Sequence, residues 1–482
     1  NNLIHNDDIS LFYFSDLFNK RSEVFDTFTF LCHVIFINKK ILNKYKIDQI
    51  ISDQCTEEFN IALSSIITNS SLIIKNEINN QNKNIYNMLR QLKFFFDSII
   101  KLIIIKLSFR NNKFKNLKTL FLSRYPLQFN KNFQENKYGK YFTKDDTYLI
   151  SIITDGFHQK TSLWNIYKYV TQLNDKNIIL LDYYLNITDL IKGYYINLQI
   201  NNKSSLLFNN KYLFKDIDIT KFIHIELSQS FIRIPRLLCY YSPIKKILKK
   251  YTFSRFIFYL HEYSYGRYFN YVLTKNRPDI ERVGFQHGPT SKRKLLYYLG
   301  KNITSNDRND WLRKTPIPNL ILAEDDSSKS IYESAGYKNV KIMDRIYRLD
   351  YMNKIKRDKK LLNTVLIVPG LHDGLYMLKK LKPIIISNPK INYILKTHPR
   401  SNHFRNGLIH LRQIKNLSIG NEHISNYLTI VSEVFSTYSS VGLEAYLLGI
   451  KSNVICLPNK INESPLIDIY EKTSDDLINI IW

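Results

Sequence analysis

Residues Asn363 to Leu381 read "NTVLIVPGLHDGLYMLKKL". A short apolar, β-branched run comes first. A loop with Pro369, Gly370, Asp373 and Gly374 follows, and then a stretch of helical composition. That order is strand, glycine-containing loop, helix. It recurs outward in both directions. Upstream lie "RFIFYLHEYSYG", "ERVGFQHGPT", "NLILAEDDSSKSIYESAG" with its helix stopped at Gly336, and "NVKIM". Downstream lie "PIIIS", "NYILKTHP", "EVFSTYSS" and "NVICLP". Further back, "YLISIITDG" and "NIILLDYYL" also read as strands. Short Ile/Val-rich runs separated by helical lengths predict an α/β fold, a parallel sheet with helices on both faces.

The chain has 482 residues, long for one core, and 44 % of them are hydrophobic. Two domains are expected, over residues 1–275 and 276–482. The stretch Arg110 to Lys140, rich in Asn, Lys and Phe, reads as loop with short elements. "FFDSIIKLIIIKLSF" (Phe95 to Phe109) reads as a buried amphipathic helix, with a helix lying on a membrane as the other reading. Formal net charge is +27, from 69 basic and 42 acidic residues. Nucleic acid, an anionic membrane surface and an anionic substrate all fit that sign. The basic residues are scattered in short runs such as "TSKRK" (Thr290 to Lys294), so charge alone does not choose. Cys32, Cys55, Cys239 and Cys456 lie far apart and fit a reducing compartment better than a disulfide framework. No GxGxxG or Walker A signature occurs.

In parallel sheets ligands bind beyond the carboxyl ends of the strands. The polar residues that close the apolar runs are therefore the candidates. His398 ends "NYILKTH", and Pro399 restricts its backbone to an extended form. An imidazole there can donate to a phosphate oxygen, or simply satisfy a turn carbonyl. Ser439 and Ser440 precede a helix. They can cap it, or share its N-terminus with a phosphate. Glu444 lies four residues after Ser440, not the three of a strict capping box, and can instead reach a ribose or base hydroxyl. In "QHG" Gly288 lets the backbone approach an anionic substrate, His287 can donate to a substrate or leaving phosphate or simply be a structural turn histidine, and Gly374 opens the helix after "LHD". Carboxylates able to take a proton from an attacking hydroxyl are Glu262, Asp155 and Asp373. Asp-Gly is also an ordinary turn. Asp325 and Asp326 read as caps of the helix that follows them. "KDIDIT" (Lys215 to Thr220) reads as an exposed strand or turn, and no His/Asp cluster has metal spacing.

The ordered set "LHEYSYGRYF", "VGFQHGP", "LKTHPR" and "FSTYSSVGLEAYLLG" resembles bacterial glycosyltransferases of surface-carbohydrate synthesis. Among these it is most similar to capsule and lipopolysaccharide transferases that use CMP-activated sugars, the sialyl, Kdo and nonulosonate transferases. The resemblance implies a GT-B arrangement, two Rossmann-like domains facing a central cleft. It places the CMP phosphate against His398, Pro399, Ser439 and Ser440 and the acceptor on the first domain. It offers Asp155 as base, with Glu262 and Gln286 to Gly288 lining the cleft. It implies a CMP-sugar donor with no tightly bound cofactor and no required metal. It implies a glycan or lipid-linked glycan acceptor and a cytoplasmic place, peripheral on the inner membrane. The Ser-Ser and His-Pro elements also resemble transferases that use CDP-glycerol or CDP-ribitol for teichoic polymers. A nucleic-acid-binding protein is the non-enzymatic rival, against which stands the lack of a basic reading element.

Overall fold

The computed structural model describes the chain except residues 1–4, 7, 20–31, 69, 78–82, 111–116, 131, 153–160, 209, 261–262, 300–301, 306, 357–362, 372, 399–413, 459, 473–478 and 482. Two large, wholly parallel sheets organise it. The first has seven strands: β1 (Thr119–Ser123), β2 (Thr147–Ile150), β3 (Ile178–Leu180), β4 (Arg255–Tyr259), β5 (Glu281–Phe285), β6 (Leu320–Ala323) and β7 (Val340–Ile342). Their spatial order is β7-β6-β5-β4-β1-β2-β3. The second has six: β8 (Thr364–Val368), β9 (Asn392–Leu395), β10 (Leu417–Ile419), β11 (Glu433–Ser436), β12 (Lys451–Ile455) and β13 (Ile480–Ile481). Their order is β10-β9-β8-β11-β12-β13.

Each sheet is covered on both faces because successive side chains of a strand point to opposite sides. In β1, Leu120 and Leu122 enter one core while Phe121 enters the other. In β8, Val365 and Ile367 pack beneath the helix Gly374–Ser387, and Leu366 and Val368 pack on the opposite face. Every residue of β8 is buried, which explains why its sequence is a continuous apolar run. The result is a GT-B-like architecture: two Rossmann-like domains, each a parallel sheet between helices, around a cleft.

Four sequence expectations change. The sheets switch between Ile342 and Thr364, whereas position 275/276 falls between β4 and β5, hydrogen-bonded neighbours in the first sheet. "PIIIS" is the end of the helix Gly374–Ser387, where Ile385 joins the core with Leu378 and Leu381 in spite of Pro383. The stretch Arg110 to Lys140 contains β1, a central, fully buried strand whose flanking lysines and arginine disguise it. The turns after β9 and β11, which the resemblance sets against one phosphate and so predicts on neighbouring strands, end strands that β8 separates. Other expectations hold. Asp325 caps the helix Asp326–Ser334 by accepting from Ser328 N at 2.6 Å. Leu213–Phe214 and Ile217–Asp218 form a small antiparallel hairpin at "KDIDIT", with Lys215 and Asp216 exposed as expected but Ile217 buried.

Candidate functional site

A cavity of ≈ 1070 Å³ opens between the carboxyl-terminal ends of the two sheets. One wall is the segment Asn130 to Lys144 after β1, joined by Tyr148. The floor is the connector between the domains, from Arg345 to Lys354. The other wall is His423 and Ile424 after β10, and Ser440, Val441 and Glu444 after β11. Lys137, Lys140, Lys144, Arg345, Arg348 and Lys354 line it against the carboxylates of Glu135, Asp350 and Glu444. That excess of cations favours an anionic ligand.

The first wall is built around Glu135, which is buried. Asn130 shapes the turn before it, accepting from Asn132 N and Gln134 N at 2.9 Å each. The Glu135 carboxylate accepts from Lys137 N at 2.9 Å, from Tyr138 N and from the Tyr259 hydroxyl. Three donors leave acceptor capacity for one more proton-bearing group. Burial outweighs these donors and raises its pKa from 4.5 to about 7. Behind it three rings stack: Tyr138 on Tyr259 at 4.7 Å and Tyr259 on His287 at 4.5 Å. Burial, then Lys137 and neighbouring cations, push the His287 pKa well below its usual value and keep the imidazole neutral. Burial and Arg348 likewise lower the Lys137 ammonium.

The second wall uses small residues and backbone. Ser439 is the N-cap of the helix Ser440–Leu447, but its side chain makes no capping hydrogen bond. The positive end of the helix dipole therefore faces the cleft without a side-chain cap. Glycine lets the parts close on one another. A Cβ on Gly442 would lie 2.3 Å from Ser436 Oγ, and one on Gly370 would lie 2.3 Å from the Tyr438 ring. Gly370 N donates to Thr437 Oγ1 at 3.0 Å, fastening the loop after β8 to the loop after β11. Below it Asp373 is buried; burial raises its pKa, opposed mainly by Thr437.

Ion pairs join the walls. Arg348 donates to both oxygens of Glu324 at 2.6 and 2.7 Å, and lies 3.6 Å from Glu444. Glu444 also accepts from the Tyr351 hydroxyl. On another side, Arg293 pairs with Asp468 at 2.7 Å, and Lys292 N donates to Asp468 at 2.6 Å. The basic run "TSKRK" thus serves in part as a tie between domains.

Of the sequence candidates, Ser440 and Glu444 line the cavity, with Ser439 next to them. His287 stands behind the first wall in the ring stack. Gln286 holds that turn, donating to the Gly288 carbonyl at 2.9 Å and accepting from Glu324 N at 2.9 Å. A Cβ on Gly288 would meet nothing within 4 Å. His398, half-buried after β9, and Gly374, buried at its helix start, are not among the lining residues. Asp155, Glu262 and Pro399 lie outside the described residues. Glu135, Lys137, Arg348, Tyr351 and His423 are site residues that sequence reading passed over. Recognising β1 as a strand would have directed attention to the segment that follows it. Among the described residues no group of three or more His, Cys, Asp or Glu side chains is placed to hold a metal ion.

No protein-family model matches the chain, and no curated protein matches it. Solved structures do. A putative UDP-N-acetylglucosamine 2-epimerase from Listeria monocytogenes is similar at 10 % identity and a TM-score of 0.39, over 76 % of this chain and 89 % of that one. The UDP-GlcNAc 2-epimerase from Neisseria meningitidis, bound to UDP-GlcNAc, gives 11 % and 0.37 over 76 % and 87 %. A wall teichoic acid polymerase gives 11 % and 0.31 over 83 % and 90 %. Scores this low carry no statement about this chain's substrate.

Proposed function

We propose that the protein is a metal-independent, inverting glycosyltransferase. It moves a nulosonic acid or Kdo from a CMP-activated donor to a hydroxyl of a glycan or lipid-linked glycan, in the cytoplasm, for a bacterial surface polysaccharide. One observation carries the reading: a cationic cleft has a buried carboxylate of pKa about 7 on one wall and a helix start without a side-chain cap on the other. A general base works best with a pKa near the working pH. In the proposed reaction Glu135 accepts the proton of the acceptor hydroxyl. The acceptor oxygen bonds to the anomeric carbon as the bond from that carbon to the CMP phosphate oxygen breaks. CMP leaves with the electron pair. Lys137 and the start of the Ser440–Leu447 helix stabilise its charge. His398 reaches the same phosphate from the end of β9 when the donor is bound.

The test is equilibrium binding of CMP, CDP, UDP and GDP to the full chain, repeated on His398→Ala. CMP should bind tightest, and the variant should bind it roughly tenfold more weakly, the size of one charge-assisted hydrogen bond. Preference for UDP or GDP removes the donor class. Preference for CDP, with transfer of a phospho-alditol, makes the protein a teichoic-type transferase instead. Unchanged CMP affinity in the variant removes His398 from the phosphate site.

A further inference from the structure

The helix Lys83–Ser108 is apolar on two opposite faces. Leu102 and Ile105 on one face enter the core of the first domain. On the other, Leu89, Phe96, Ile100, Ile103 and Leu107 are exposed, Phe96 to 60 % and Leu107 to 82 %. Their spacings of seven, four, three and four residues hold them in one narrow stripe. A helix apolar all round is ordinarily covered all round. The helix Ile187–Phe208 repeats the pattern beside it, with Ile187, Ile191, Tyr195 and Leu198 exposed at spacings of four, four and three. The Phe95 and Tyr194 rings pack between the two helices at 5.4 Å. A third helix, Leu163–Leu173, lies on the other side, where Asn174 donates to the Ser108 carbonyl at 3.0 Å. It exposes Leu163, Tyr167 and Trp164, the last to 71 %. All three bury their inner sides, including Leu102, Ile166 and Leu190, in the same core, so the stripes share the outer surface. Scattered apolar residues on a surface are normal, but three adjacent stripes are not.

We infer that this three-helix face docks on the surface of an anionic lipid bilayer. Lys93, Arg110, Lys168 and Lys192 are exposed along it, while Lys106 turns its ammonium to the Tyr183 carbonyl. Asp97, on the same helix, is taken up by the buried Lys101. Cations beside an apolar stripe carrying Trp and Tyr match headgroups and the interface beneath them. The stripe from Leu89 to Leu107 runs about 27 Å along the helix. No described helix is long and apolar enough to cross a membrane, so this one lies in the interface plane. A second copy of the chain is the less favourable occupant. A symmetric pair would set these lysines against their own copies, in a chain of net charge +27.

The test is flotation of the full chain with vesicles of equal parts phosphatidylglycerol and phosphatidylcholine, against pure phosphatidylcholine vesicles. The protein should bind the anionic vesicles and release with added salt. The triple variant Phe96→Ser, Ile100→Ser, Ile103→Ser changes only exposed side chains, and circular dichroism should show the wild-type melt. It should lose at least tenfold in vesicle affinity while nucleotide binding in the cleft is unchanged. The pair Lys93→Glu and Lys192→Glu should weaken binding to anionic vesicles only. Equal binding of wild type and triple variant overturns the inference, as does equal binding to both vesicle types. So does a dimer in sedimentation that the triple variant abolishes while vesicle binding is absent.

Discussion

The two walls of the cleft are made of different materials. The first is aromatic and desolvated: Glu135 sits under Tyr138 and Tyr259, and its proton affinity is set by what surrounds it. The second is glycine, serine and backbone: Gly370 and Gly442 let the loops close on one another, and Ser439 and Ser440 start a helix that has no side-chain cap. A backbone dipole does not titrate. A buried carboxylate does. In the proposed reaction the first wall therefore handles a proton and the second holds a fixed charge. The two should answer differently to pH and to substitution.

The largest separation comes from Glu135→Gln. Turnover should fall by about 10²- to 10⁴-fold, the usual worth of a general base, with CMP affinity nearly unchanged in a titration. An equal loss of nucleotide binding would erase the division of labour. The pH dependence sharpens the same point. The folded-state pKa of Glu135 lies above its ordinary value, so between pH 4.5 and about 7 the folded chain holds the extra proton. Stability should fall as pH rises through that window and level off above it, by on the order of 3 kcal/mol. Denaturant melts across that range should show the fall in wild type and not in Glu135→Gln. Activity should run the other way, rising to a plateau above about pH 7 as the base loses its proton.

On the second wall Gly442→Ala must displace Ser436 or the helix start. It should cost about 1–3 kcal/mol, the range of overpacking, and weaken nucleotide binding without moving the pH profile. Arg293→Ala should do least. Arg293 and Glu471 are partly exposed and buried Asp468 keeps its hydrogen bond from Lys292 N, so the loss should be about 1 kcal/mol. Thermal melts of both variants, side by side, check the order.

Fully buried parallel strands write themselves as apolar runs, which is why β6, β8 and β11 were readable from residues alone. Of the polar residues that close such runs, Ser440 and Glu444, both after β11, line the cavity, whereas His398 and Gly374 do not. β1 escaped because its five residues stand among lysines and asparagines, and with it went the segment that carries Glu135. No local pattern could have marked that glutamate. Its hydroxyl donor, Tyr259, is 124 residues away, and its shifted proton affinity is a property of burial. The switch between sheets escaped for a related reason. β5, β6 and β7 look like the strands after them, and only pairing assigns them to the first sheet.

Arg348 grips Glu324 by two short contacts and Glu444 by one longer one. Any widening of the cleft parts the longer contact first, leaving the guanidinium with the first domain. The carboxylate it releases sits four positions after Ser440, one turn along the same short helix. That helix is thus a lever with two arms: the donor phosphate proposed for its start would press on one, and the angle between the domains hangs from the other.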